Sequence, residues 1–291
     1  MKVVLFCGGM GMRLREYSES IPKPMVNIGY RPILWHLMKY YASFGHKDFI
    51  LCLGYKGDTI KNYFLNYDEC LSNDFTMTHG GKKLQMANTD IHDWKITFVD
   101  TGLNANIGQR LKAVEPHLQG EEMFLANYSD GLSDLDLPKL IDYFSARKKI
   151  AGFLSIKPTQ SFHVVSIQNG GIVRDIQDLS KSGMWINGGF FVFRNEIFQY
   201  LNPGEELVHE PFQRLIKENE LIAYKYEGFW ISMDTFKDKQ RLDDMYARSE
   251  TPWEVWKSST TGPKVLSLNK LNGLASSALP KRANIYATAS L

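Results

Sequence analysis

The residue types that hold phosphate are concentrated near the start of the chain. Val3-Val4-Leu5-Phe6-Cys7 is apolar enough for a buried strand, and Gly8-Gly9-Met10-Gly11-Met12-Arg13 follows at once. Glycines let backbone N–H groups approach oxygen closely, and an arginine at the end of the turn adds charge. Lys23, in Lys23-Pro24-Met25, can reach the same anion from the other side of a short polar loop. The chemistry expected is the binding of a nucleoside triphosphate. Two stricter fingerprints fail. A dinucleotide fold would want its third glycine where Leu14 stands, and a P-loop needs a Gly-Lys-Ser/Thr that does not follow. On these residues alone, a bare structural turn stays open.

The elements that must position these groups alternate along the first half. Strand-like runs cover 2–7, 48–53, 95–99 and 123–127, and helix-like runs cover 32–44, 58–67, 107–114 and 137–146. Such alternation predicts an α/β fold: a Rossmann-like, mostly parallel mixed sheet with helices on both faces. Ligands of such sheets bind beyond the carboxyl ends of the strands. The glycine turn and Asp130 both directly follow strands and belong at that edge. Shorter strands follow at 151–155, 164–167, 171–176 and 189–193, with Asn169-Gly170 as a hairpin turn. They predict a lid or small β-rich lobe, with helices near 210–219 and 235–247.

The hydrophobic share of 44% in 291 residues suffices for a sizeable core, and a net charge of +2 gives no sign of a nucleic-acid or membrane partner. Cys7, Cys52 and Cys70 fit neither a disulfide framework nor a zinc site. No signal peptide or membrane-spanning run is visible, so a cytoplasmic location is expected. Compact structure is expected to end near Trp256. The domain reading is 1–257, divided into a nucleotide-binding half (1–150) and an acceptor-binding half (151–257). Residues 258–291 read as a mobile tail or an arm ordered in a homo-oligomer.

The glycine turn with Lys23-Pro24-Met25 resembles the signature of the sugar-1-phosphate nucleotidyltransferases, the nucleoside-diphosphate-sugar pyrophosphorylases. Further motifs look like the glucose-1-phosphate cytidylyltransferase branch. They are Pro32-Ile33-Leu34-Trp35-His36, the segment 48–57, Val99-Asp100-Thr101-Gly102 and Arg110-Leu111-Lys112. Tyr128-Ser129-Asp130-Gly131, Ile186-Asn187-Gly188-Gly189-Phe190-Phe191, and Gly228-Phe229-Trp230 with Met233-Asp234-Thr235 complete the set. Their order and spacing span residues 1 to about 256.

The resemblance implies a GT-A-like nucleotidyltransferase fold and a reaction. A sugar-1-phosphate oxygen attacks the α-phosphorus of an NTP, most readily CTP, and pyrophosphate leaves. It implies Mg2+ held by Asp130 and Asp234, and a triphosphate gripped by Arg13 and Lys23. It places the nucleotide against Gly8, Gly9, Gly11, Met12 and Arg110, and the acceptor against Asn187, Gly188 and Trp230. Read singly, Asp130-Gly131 is also an ordinary turn, Asp234 a helix N-cap, and Asn187-Gly188-Gly189 a β-bulge.

The chain departs from the pattern at three places. Met12 replaces a small hydroxyl residue. Leu179 stands where the family carries the lysine of Glu-Lys-Pro, with Lys181 two residues on. His163 stands where relatives have glycine against the sugar. These changes predict an acceptor contact through His163 or Lys181, and an acceptor that is glucose-1-phosphate or a variant of it. The alternatives are a nucleotidyltransferase using another base or a non-glucose phosphorylated acceptor, or a non-catalytic nucleotide-sugar-binding subunit.

Overall fold

The first strand of the computed structural model, which describes residues 1–9, 21–158 and 162–257, is wholly buried. This is β1, Val3–Phe6, and its four apolar residues face cores on both sides of a sheet, as a central parallel strand requires. The chain then forms α1 (Ile33–Ser43), β2 (Asp48–Leu53), α2 (Gly57–Leu65), β3 (Lys95–Asp100), α3 (Ile107–Ala113) and β4 (Met123–Tyr128). After these come β5 (Gly131–Ser133), α4 (Leu137–Arg147), β6 (Ala151–Ile156), β7 (His163–Ile167), β8 (Val173–Asp178) and β9 (Ile186–Arg194). Last are α5 (Glu210–Lys217), β10 (Leu221–Tyr226), β11 (Trp230–Ser232) and α6 (Phe236–Ala247).

Seven strands make the central sheet, in the order β10-β6-β9-β4-β1-β2-β3. Six run the same way. Only β9 runs against its neighbours, β4 and β6. Alternation along the strands feeds two cores. Leu5, Leu51 and Val192 face α1, α4 and α6, whereas Val4, Phe6, Phe191 and Phe193 face α3 and α5. Each fully buried Phe or Leu contributes about 1.5–3 kcal/mol by leaving water. The sheet therefore holds its strand ends in fixed positions. Among the described residues, no helix is long and apolar enough to cross a membrane.

The sheet departs from the sequence reading in the second half. Strands β6 and β9, expected in a separate lobe, continue the central sheet; their buried apolar residues complete both cores. Only the ribbon β7–β8 stands apart among the strands assigned to that lobe. Its turn uses Gly170 and Gly171, at φ +84° and +82°, so β8 begins at Val173 rather than 171. Strands β5, β10 and β11 carry no clear periodicity in the sequence and emerge only from their pairings. The expectation for 258–291 falls outside the described residues.

Strand β9 is interrupted where it nears the site. Phe153 of β6 pairs with Phe191 and Ser155 with Asn187, so Gly188, Gly189 and Phe190 stand opposite one residue. Gly189 and Phe190 take φ of +72° and +47°. A buried phenylalanine in the left-handed region is strained, and packing holds it there: its ring lies 5.6 Å from that of Tyr40 and 6.0 Å from that of Tyr41. The bulge turns Asn187 and Gly188 towards the carboxyl ends of β1 and β4.

Candidate active site

Strands β2 and β4 lie on either side of β1, so the connections leave the sheet in opposite directions and a crevice opens at the carboxyl edge. A cavity of about 630 Å³ occupies it. Its wall includes Gly9, Lys23, Arg110, Asp130, Asn187, Gly188, Trp230 and Asp234. Residues from most of the chain's length thus meet in one place. The volume suits a nucleotide-sized ligand.

The electrostatic centre is a lysine between two carboxylates. Lys23, at the start of a short 3-10 turn (Lys23–Met25), places Nζ 2.5 Å from Asp130 Oδ2 and 2.8 Å from Asp234 Oδ1. The small ribbon β5–β11 brings the acids together. Gly131 pairs with Ser232, and the Met233 amide donates to the Asp130 carbonyl at 3.0 Å. Asp234 also accepts from Ser232 Oγ at 2.8 Å. The cap of α6 is Thr235, which forms a reciprocal capping box with Asp238. Asp234 is therefore not the cap, and its carboxylate points into the cavity group. Burial alone would lower the Lys23 pKa; the charges and hydrogen bonds of Asp130 and Asp234 outweigh it and hold the ammonium above its ordinary value.

Two hard oxygen donors converging on one cation, at the open wall of a cavity, suit a divalent ion completed by water and phosphate oxygens. Among the described residues no group of three or more His, Cys, Asp or Glu could hold a metal unaided. Substrate oxygens would have to supply the remaining ligands.

Arg110 lines the cavity and also carries a structural part. Its guanidinium is almost fully buried. It donates to the carbonyls of Leu53 (3.1 Å), Gly102 (2.9 Å), Gly8 (3.0 Å) and Leu103 (3.4 Å), and to Thr101 Oγ1 (2.7 Å). The cation ties together the loops that leave β1, β2 and β3. Gly8 is required by it, since a Cβ there would lie 2.1 Å from Arg110 Nη1. A Cβ on Gly9 would meet nothing within 4 Å. Cys7, beneath the turn, is buried, and burial pushes its thiol up to about 12 against a hydrogen bond with Ser129, leaving an inert side chain.

On the opposite wall, Asn187 Oδ1 accepts from the Gly189 amide at 2.9 Å, and its Nδ2 donates to Tyr128 Oη at 3.5 Å. Trp230 Nε1 donates to the Gly188 carbonyl at 2.8 Å, which fixes the indole as a flat apolar face. His163 and Lys181 lie elsewhere. Both pair with Asp178 at 3.3 Å on the exposed β7–β8 ribbon, and neither lines the cavity. Gly11, Met12 and Arg13 lie outside the described residues. The wall also holds residues that sequence reading missed, chiefly Asn106 and Glu206. The capping box of α3 announces Asn106, but no motif announces Glu206.

A doubly wound sheet with a nucleotide-sized crevice at its switch point, two acids and a lysine is the arrangement of a nucleotide-handling enzyme of the phosphoryl-transfer type. Residues 2–238 match the Nucleotidyl transferase family, and the chain belongs to it. It is 40% identical over 258 residues to a glucose-1-phosphate cytidylyltransferase of Salmonella typhi, covering 88% of this chain and all of that protein. It is 37% identical, with the same coverage, to a probable glucose-1-phosphate cytidylyltransferase of Bacillus subtilis. Among solved structures, HddC from Yersinia pseudotuberculosis complexed with GMP-PN superposes with a TM-score of 0.60 at 21% identity, over 84% of this chain and 99% of that one. That likeness establishes a shared fold.

Proposed function

We propose that the chain transfers the cytidylyl group of CTP to glucose-1-phosphate, releasing pyrophosphate and forming CDP-glucose. The observation that carries this reading is the Lys23–Asp130–Asp234 cluster at the switch-point cavity, in a chain 40% identical to a glucose-1-phosphate cytidylyltransferase. An oxygen of the sugar phosphate attacks the α-phosphorus of CTP as the bond to the bridging oxygen of pyrophosphate breaks. The nucleophile is already ionised at neutral pH. The protein therefore needs no general base, and its task is alignment and neutralisation of charge.

The chain's own groups divide that task. Lys23 supplies a buried positive charge beside the reacting phosphates, and Arg13, by resemblance, a second one. Arg110 holds the loops of β1, β2 and β3 so that their backbone presents a fixed surface to the nucleotide. Asn187, Gly188 and Trp230 form the wall for the glucosyl ring. Enzymes of this family use a divalent metal. Asp130 and Asp234 would hold Mg2+, which when bound supplies charge neutralisation to the triphosphate. His163 and Lys181 stay candidates for the acceptor only if the β7–β8 ribbon approaches the cavity on binding. A cytoplasmic location and a homo-oligomeric state belong to the same proposal.

The test is a panel of CTP, UTP, ATP and GTP with glucose-1-phosphate and Mg2+, read by pyrophosphate release. CTP should exceed the others in kcat/KM by at least about 10²-fold, the discrimination that lost hydrogen bonds to a base provide. Equal turnover of all four would overturn the cytidylyl assignment.

A further inference from the structure

Among the described residues, three carboxylates line the cavity: Asp130, Asp234 and Glu206. The first two face Lys23. Glu206 has no cationic partner among the described residues; its Oε2 accepts only the Ile107 amide, at 3.2 Å. An acidic side chain with spare acceptor capacity is a poor neighbour for a triphosphate and a good one for a hydrogen-bond donor. A carboxylate that meets a hydroxyl or an amine in a cavity makes a charge-assisted bond, stronger than a neutral one.

The surrounding structure holds Glu206 in place. Its loop is pinned to α3 by the bond from Asn106 Nδ2 to the Gly204 carbonyl, at 2.9 Å. Gly108 allows the close approach: a Cβ there would lie 2.3 Å from the Glu205 carbonyl oxygen. Glu205 turns outward and pairs with Arg214, while Leu207 is fully buried. Two adjacent glutamates therefore do opposite jobs, and only Glu206 faces the ligand. Tyr128 Oη accepts from Asn187 Nδ2 at 3.5 Å, and Tyr128, Asn187 and Glu206 line the same cavity. Glu206 thus shares that cavity with the β4–β9 wall that carries Asn187, while its Oε2 is tied to the first amide of α3.

We infer that Glu206 is a specificity-determining residue that accepts hydrogen bonds from hydroxyl groups of the phosphorylated acceptor. The inference rests on the sugar-phosphate reading proposed above and assigns the residue that recognises the ring's hydroxyl pattern. Such a group rejects analogues lacking the donor, because a half-buried carboxylate is then left unpaired in the closed site.

The test uses the full chain with CTP, Mg2+, glucose-1-phosphate and its monodeoxy analogues. In the wild type, at least one deoxy analogue should lose 10-fold or more in kcat/KM. Glu206→Gln should raise the KM for glucose-1-phosphate at least 10-fold and leave that for CTP within 2-fold. In Glu206→Ala the penalty for the same deoxy analogue should vanish, an effect that general loosening of the loop does not produce. An unchanged deoxy penalty in Glu206→Ala overturns the inference, as does a shift confined to the CTP KM with altered CTP/UTP preference. Wild-type protein that neither binds nor turns over glucose-1-phosphate overturns the sugar-phosphate reading, and this inference with it.

Discussion

Replacing Lys23 with methionine removes the only cation seen between Asp130 and Asp234 among the described residues, and nearly preserves volume. The wild-type ammonium lies 2.5 and 2.8 Å from the two carboxylates, with side-chain exposures of 12%, 23% and 25%. At an effective dielectric of about 20, each attraction is worth roughly 6 kcal/mol before desolvation is subtracted. Breaking a buried pair by deleting one partner costs about 3–5 kcal/mol. Partial exposure of these three groups brings the expected loss to about 2–3 kcal/mol. Urea unfolding without metal or nucleotide should show that loss from pH 6 to pH 10. The sign follows from the raised lysine pKa: the stabilisation is complete below the unfolded value near 10.5 and is lost as pH rises through the folded value. Saturating Mg2+ should restore part of the stability of Lys23→Met by giving the acids another cation. Turnover should stay about 10²–10³-fold down, because the charge beside the phosphates is gone. A variant as stable as wild type, or one with wild-type kcat, would refute the reasoning.

Three further outcomes follow from particular contacts. Arg110→Lys cannot reach the four carbonyls that the guanidinium serves, and each buried acceptor left unpaired costs about 1–3 kcal/mol; steady-state kinetics should show the KM for CTP at least 10-fold higher with kcat little changed. Gly108→Ala adds helix propensity of about 1 kcal/mol, but its Cβ would lie 2.3 Å from the Glu205 carbonyl oxygen; thermal unfolding should show a lower Tm, and the sugar-phosphate KM should rise as Glu206 shifts. His36 is buried, accepts from Trp253 Nε1 at 3.4 Å and has its pKa lowered to about 4 by burial. The stability this provides is present above the unfolded value near 6.5 and falls as pH drops towards 4, by up to about 3 kcal/mol. In His36→Gln the acid slope of urea midpoints should flatten.

The sequence displayed the parts of the site that sit at abrupt changes of pattern. Phe6 to Gly9 is such a change, from apolar strand to glycine turn, and so is Tyr128 to Gly131. Asn187-Gly188-Gly189 announced a bulge, and a bulge is what brings Asn187 to the cavity wall. What the sequence concealed depends on pairing and packing. Strand β9 reads like any short apolar strand, and its place between β4 and β6 is decided by partners distant in sequence. The loop-tying contacts of Arg110 were hidden because their acceptors are backbone carbonyls, which no residue type reveals. Glu206 stands beside another glutamate in a polar loop, and only the fold turns one outward and the other into the cavity. His163 and Lys181 show the converse: residues of suitable chemistry that the chain places on an exposed ribbon, around Asp178 rather than around the cavity.

The central claim is that Lys23, Asp130 and Asp234 form the centre of nucleotidyl transfer. Single-turnover formation of CDP-glucose from CTP and glucose-1-phosphate, with Mg2+, tests it most directly in wild type and Asp130→Asn. The account predicts formation in the wild type and a loss of at least about 10³-fold in the variant, with CTP binding retained. CDP-glucose formed by Asp130→Asn at the wild-type rate would contradict it.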